Sequence, residues 1–105
     1  MPVRLTVDAA GRASPTVEAV AFFVVSEALA NVAKHSGASG AEVSVLREVE
    51  GLRVTIRDDG RGGADPARGT GLRGLAQRVR SVDGVLTIDS PAGGPTTIEA
   101  VLPCG

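Results

Sequence analysis

The chain has little of what disulfide-rich, metal-dependent or membrane-embedded proteins are built from. Its single cysteine, Cys104, stands next to the C-terminus, which excludes a disulfide framework and a cysteine-based metal site. His35 is the only histidine, so a histidine-built metal centre is excluded too. There is no tryptophan or tyrosine, and the aromatic residues are two phenylalanines, leaving almost nothing for nucleic-acid bases to stack on. No apolar run reaches the roughly 18 residues of a membrane span, and no basic stretch leads into an apolar one as in a signal peptide. Neither sign of charge dominates. Eleven basic residues, of which Lys34 is the lone lysine, face twelve acids for a net charge of −1, which argues against an electrostatic grip on nucleic acid. What remains is 105 residues, 43% hydrophobic and 22% charged, the composition of one intracellular domain with a modest core.

No repeat, low-complexity segment or linker divides the chain. Val3-Arg4-Leu5-Thr6-Val7 alternates apolar and polar residues and predicts a short strand ended by Gly11. Ser14-Pro15 is a helix start, with Ser14 as N-cap and Pro15 at the first helical position. The helix runs to about Lys34 with Val17, Val20, Ala21, Val24, Ala28 and Val32 at three- and four-residue spacing, and Gly37 follows as a stop. Because only Thr16, Glu18, Ser26, Glu27 and Asn31 are clearly polar between Pro15 and Asn31, a mostly buried helix is expected. A hairpin follows, Val43 and Val45 on one strand, Leu52, Val54 and Ile56 on the other, with Glu50-Gly51 as the turn. Six glycines between Gly60 and Gly74 read as a mobile loop. A second helix spans about Leu72 to Val82 and is closed by Gly84, and strands Val85–Asp89 and Thr96–Leu102 finish the chain. This order predicts an α+β two-layer sandwich, a mixed sheet with helices on one face.

Three features could carry chemistry. Glu27, Asn31 and Lys34 share one stripe of the first helix and His35 borders it; a carboxylate, an amide oxygen and two basic groups suit hydrated Mg²⁺ and the phosphates it accompanies. Asp58 continues the inward row of Leu52, Val54 and Ile56, so its carboxylate is expected partly buried, an acceptor suited to an exocyclic amine such as that of adenine. Asp59 points the other way and suits a capping role. The third feature is the glycine cluster, Asp58-Asp59-Gly60-Arg61-Gly62-Gly63 and then Gly69-Thr70-Gly71-Leu72-Arg73-Gly74. Its second run leads into a helix N-terminus, where free N–H groups favour phosphate. A Walker-type loop is excluded because Lys34 follows alanine. Gly69-x-Gly71-x-x-Gly74 matches a dinucleotide fingerprint only by accident, since Asp65-Pro66-Ala67-Arg68 is no strand. A protein-kinase glycine loop fails as well, for want of a following lysine.

Together these residues resemble a known family. Glu27-Ala28-Leu29-Ala30-Asn31-Val32-Ala33-Lys34-His35 is similar to the N box of the gyrase and histidine-kinase (GHKL) ATPase superfamily. Asp58-x-Gly60-x-Gly62 resembles its first glycine box and Gly69-x-Gly71-Leu72 its second. Lys34-His35-Ser36-Gly37-Ala38, the run from Gly71 to Val79 and the closing Gly93-Gly94-Pro95-Thr96 strand resemble the two-component sensor kinases that pair with LuxR- or NarL-type response regulators. The resemblance implies a Bergerat-type ATP-binding fold, Mg²⁺ and ATP as ligands, and a cytoplasmic catalytic domain whose parent kinase could be membrane-anchored, with no membrane or nucleic-acid contact of its own. It implies that Asn31 holds Mg²⁺, that Glu27 orients the water or acceptor at the γ-phosphate, and that Lys34 and His35 lie near the phosphates. Asp58 then accepts from the adenine amine, Gly60 and Gly62 shape its pocket, Thr96 supports it, Gly69 and Gly71 let the lid backbone approach the phosphates, and Thr70 and Leu72 are among the nucleotide-binding residues.

Two departures stand out. Residues 63–68 are Gly-Ala-Asp-Pro-Ala-Arg, without the phenylalanine-containing box of many kinases. The helical dimerisation domain with its phospho-accepting histidine is also missing. The expectation is therefore a single catalytic and ATP-binding domain over 1–105, a fragment of a longer kinase that binds nucleotide but does not autophosphorylate alone. An anti-sigma-factor type of serine kinase from the same superfamily, or a non-catalytic nucleotide-binding module, is the alternative.

Overall fold

In the computed structural model, residues 2–8, 14–32, 39–49, 51–60 and 72–103 are described. They form strand β1 (Val3–Asp8), helix α1 (Pro15–Asn31), strands β2 (Ala41–Glu48) and β3 (Gly51–Asp58), helix α2 (Leu72–Arg80), and strands β4 (Val85–Asp89) and β5 (Thr96–Pro103). The strands make one sheet in the order β1-β2-β3-β5-β4. β1 runs parallel to β2 and every other pairing is antiparallel. The sheet is mixed, as the element order predicts.

α1 begins as its sequence dictates. Ser14 is extended and its Oγ accepts from the Val17 N–H at 3.2 Å, while Pro15 takes the first helical position. The cap satisfies one of the donors that a helix start leaves free. Val17, Val20, Ala21, Val24 and Ala28 are buried, and the opposite stripe, Ala19, Phe22 and Ser26, is exposed. The helix is thus less buried than its apolarity suggests, with Phe22 75% exposed. α1 ends at Asn31, with Val32 as its C-cap; the expected extension to Lys34 and the Gly37 stop lie outside the described residues.

The core lies between the helices and one face of the sheet. Val24 and Ala28 of α1 and Leu72, Leu75 and Val79 of α2 meet Val43, Leu52, Val54, Ile56, Ile98, Ala100 and Leu102. These strand residues alternate along their chains and are in register across β2, β3 and β5. Each fully buried aliphatic side chain contributes about 1.5–3 kcal/mol. The other face is polar: Arg53 is held between Glu48 (3.0 Å) and Glu99 (2.5 Å) on the neighbouring strands. On β1 all six residues are exposed, because α1 packs over β3 and β5 and reaches past neither to the sheet edge.

The hairpin turn differs from expectation. Gly51 pairs with Glu48 as the first residue of β3, so it is a strand residue and not part of the turn. Gly51 is glycine because of its neighbour: a Cβ there would fall 1.8 Å from the Leu102 carbonyl oxygen. α2 ends two residues before the predicted Val82. The Asp83 N–H donates to Arg80 O and the Gly84 N–H to Val79 O, both at 3.0 Å, with Asp83 at φ 62°. Asp83 therefore takes the left-handed capping position. Gly84 serves space instead, since a Cβ would meet Leu102, Val101 and Val79 at 2.8–2.9 Å.

Candidate functional site

Chain direction gathers the candidate residues at one end of the sheet. β3 finishes at Asp58 and β5 starts at Thr96, and the two are register partners. β2 starts opposite Asp58, at Ala41, so the C-terminal end of α1, which precedes it, and the N-terminal end of α2, which returns toward β4, lie toward the same end. No long-range guidance is needed; alternating element directions suffice.

Asp58 is 3% exposed, more deeply buried than expected, because it continues the inward row of β3. One carboxylate oxygen accepts from the Gly60 N–H at 2.7 Å. An ionised carboxylate has about four acceptor positions, so most of its capacity is unspent among the described residues. Burying it in that state is costly unless further donors complete it. Thr96 is also buried, and its Oγ1 lies 2.6 Å from Ser90 Oγ. Asp58, Gly60 and Thr96 are thus brought together.

Asn31 and Glu27 stand one turn apart near the end of α1, both half-buried. The Asn31 Nδ2 is inaccessible to solvent and has no hydrogen-bond partner among the described residues, a feature costing about 1–3 kcal/mol in a folded protein. Leu72, expected among the nucleotide-binding residues, is instead in the core at the start of α2. Lys34, His35, Gly62, Gly69, Thr70 and Gly71 lie outside the described residues, as does the glycine-rich segment read as a mobile loop. Among the described residues there is no cluster of three His, Cys, Asp or Glu side chains that could hold a metal ion, and no helix is long and apolar enough to cross a membrane.

Asp59 faces away from Asp58, as expected, and caps the chain entering β2. Its Oδ1 accepts from the N–H groups of Ser39 (2.8 Å) and Gly40 (3.2 Å), and its Oδ2 from Ser39 Oγ (2.5 Å). The hydrogen bond from the Ser39 side chain, then those from the Gly40 and Ser39 amides, hold its pKa below the ordinary carboxylate value. Sequence reasoning finds the cap but neither Ser39 nor Ser90, since a serine beside a strand carries no pattern of its own. It also misses the guanidinium of Arg78 on α2, centred 4.5 Å from the ring of Phe23 on α1. A cleft of about 610 Å³ is lined by Arg4, Gly40, Glu42, Arg57, Asp58 and Asp59 among others. Asn31, Glu27 and Leu72 are not among its walls, so it meets the candidate site residues at Asp58.

Comparison with known proteins agrees with this geometry. Residues 16–105 match the family model "Histidine kinase-, DNA gyrase B-, and HSP90-like ATPase". The sensor histidine kinase YvfT of Bacillus subtilis is 30% identical over 91 residues, which cover 86% of this chain and 24% of that protein. The signal transduction histidine-protein kinase/phosphatase UhpB of Salmonella typhimurium is 36% identical over 84 residues, covering 78% of this chain and 16% of that one. The crystal structure of the ATP-binding domain of PrrB from Mycobacterium tuberculosis superposes with a TM-score of 0.68 at 27% identity, over 94% of this chain and 79% of that one. The chain spans about a quarter or less of these curated relatives. It belongs to the histidine kinase-, gyrase B- and HSP90-like ATPase family, and within it is the ATPase domain of a sensor histidine kinase.

Proposed function

We propose that the domain binds Mg-ATP at the Asp58 end of the sheet and supplies its γ-phosphate to a histidine of the same two-component kinase. The observation that carries this reading is the buried Asp58 carboxylate, only partly satisfied by Gly60. A planar ligand bearing an exocyclic amine completes it, and adenine has that donor. Gly60 and Gly62 leave room for the ring, and Thr96, on the neighbouring strand, supports Asp58 from the side.

Asn31 fits a magnesium ion carried by a triphosphate. Its Nδ2 makes no hydrogen bond to the described residues, its amide oxygen is of the hard ligand type that Mg²⁺ takes, and Mg²⁺ keeps most of its waters and needs few protein donors. When bound, the ion neutralises charge on the phosphates. Lys34 and His35, just beyond Asn31 in sequence, then face the phosphates, while Gly69, Thr70 and Gly71 form the lid leading into α2. Glu27 orients the acceptor. In the transfer, the acceptor imidazole nitrogen forms a bond to the γ-phosphorus as the bond to the β–γ bridging oxygen breaks, and ADP leaves. That imidazole belongs to a helical dimerisation domain of a longer kinase, and a LuxR- or NarL-type response regulator receives the phosphoryl group next. The isolated domain binds nucleotide without phosphorylating itself.

Titration calorimetry with ATP tests the reading. Asp58→Asn is expected to lose about 1.5–3 kcal/mol of binding, the worth of a hydrogen bond to a charged group. An unchanged affinity overturns the adenine assignment.

A further inference from the structure

The sheet has two edge strands, β1 and β4, and they are finished differently. On β4, Leu86 and Ile88 pack against the core, and Asp89 is the only charged residue. β1 has no such cover. Leu5 and Val7, on the helix side, are 63% and 60% exposed, and no proline or inward-pointing charge blunts the strand. Its hydrogen-bonding direction is fixed by its neighbour. The Ala41 N–H donates to the Pro2 carbonyl oxygen at 3.1 Å, and Val3 is the register partner of Ala41. In a parallel pair this directs the backbone groups of Arg4, Thr6 and Asp8 at β2, and those of Val3, Leu5 and Val7 at the open edge. Charge is left over as well. Arg4 lies 3.9 Å from Glu42, whereas Asp8 faces Leu46 and has no ion pair among the described residues.

We propose that β1 is a self-association edge, which takes β1 of a second copy of this chain in antiparallel pairing. Parity and charge set the register. Residues that exchange bonds across an antiparallel pair must both direct their backbone at the shared edge, so only Val3, Leu5 and Val7 qualify. Leu5 against Val7 of the second copy meets that condition, and a two-fold axis repeats it. The same register sets Thr6 against its own counterpart and Arg4 against Asp8 of the second copy, twice over. The two neighbouring allowed registers set Thr6 against Arg4 or against Asp8 and leave the charges unmatched. The faces agree too: Leu5 and Val7 of both copies cover one another on the helix side, and the charges lie on the polar side. β4 has no cation and no register of this kind. Because β1 starts level with Ala41 and Asp58, the two Asp58 ends point in opposite directions, and the pairing does not depend on what they bind.

Strands of six residues bury less than the roughly 1,200 Å² of a stable complex, so the dimer is expected to dissociate at about 0.1–1 mM. Sedimentation velocity of the 105-residue protein across that range should show a monomer–dimer equilibrium. Asp8→Arg, which replaces two opposite-charge pairs by two like ones, is expected to weaken it about tenfold, with the fold checked by circular dichroism. Val85→Lys, on the β4 edge, should leave it unchanged. Cross-linking reads the register independently. In a Cys104→Ser background, Thr6→Cys sets two thiols across the axis at a non-hydrogen-bonded pair, about 4.5 Å between Cα atoms, which a disulfide can span. Oxidation should give a covalent dimer with Thr6→Cys and none with Leu5→Cys. A wild-type protein that stays monomeric throughout overturns the pairing, and a strand of some other protein on this edge would give that result. So does association lost in Val85→Lys but kept in Asp8→Arg, or a covalent dimer through Leu5→Cys in place of Thr6→Cys.

Discussion

The two ends of the five-stranded sheet are built on opposite principles. At one, Gly51, Gly84, Leu102 and Val79 meet so tightly that no methyl group could be added at either glycine. At the other, among the described residues, a carboxylate is buried with acceptor capacity to spare, an asparagine Nδ2 has no partner, and two hydroxyls bond to each other. The first end is satisfied by the protein's own atoms and the second is not. On the proposed reading, stability and binding are separated along the strands, about eight residues apart on β3 and β5. Groups left unsatisfied in a folded domain are expected where a ligand completes them.

Substitutions at the glycines sharpen this contrast. The largest effect is expected at Gly51, where a Cβ would collide with backbone that cannot swing aside. Gly51→Ala should cost about 3 kcal/mol of stability by denaturant unfolding, within the range of severe overpacking, while the molecules still folded bind ATP with unchanged affinity. A lowered affinity of the folded fraction would show that the two ends are coupled. Gly84→Ala follows, at about 2 kcal/mol. Its clashes are less severe and one of them is with a leucine methyl that can shift. The smallest effect has the opposite sign. Gly74, exposed in α2, has nothing within 4 Å of its missing Cβ, so Gly74→Ala should raise stability by about 0.5–1 kcal/mol through helix propensity alone. A loss on thermal or chemical unfolding would mean that α2 is distorted by the methyl.

Much of this was legible in the sequence, and what was not has physical reasons. The Ser14-Pro15 start, the buried stripe of α1 and the inward row ending at Asp58 follow from local chemistry and periodicity, which tertiary packing reinforces here. So do the strand pairs and the sidedness of the sheet. Gly51 was misread as a turn residue because the demand for a glycine there comes from Leu102, which is distant in sequence and close only after β5 pairs with β3. Gly84 was credited with closing α2 for a similar reason; Asp83 adopts the left-handed conformation, and crowding by Leu102 explains the glycine. The burial of Asp58 was legible because a polar residue continuing an apolar row is conspicuous. Ser39 and Ser90 were missed because each acts through a partner from another segment, Asp59 and Thr96. The exposure of Phe22 was missed because the sequence of a helix does not say how much of its circumference the fold will cover.

β1 shows a consequence of that incomplete cover. Leu5 and Val7 face the helix side of the sheet in register with Val43 and Val45, yet Leu5 remains 63% exposed. Backbone bonds to β2 are nearly all that retains the strand. Cooperative opening costs least where few side chains must be wetted anew, so the ladder of resistance to fraying descends from β3 and β5 outward, and β1 is its lowest rung.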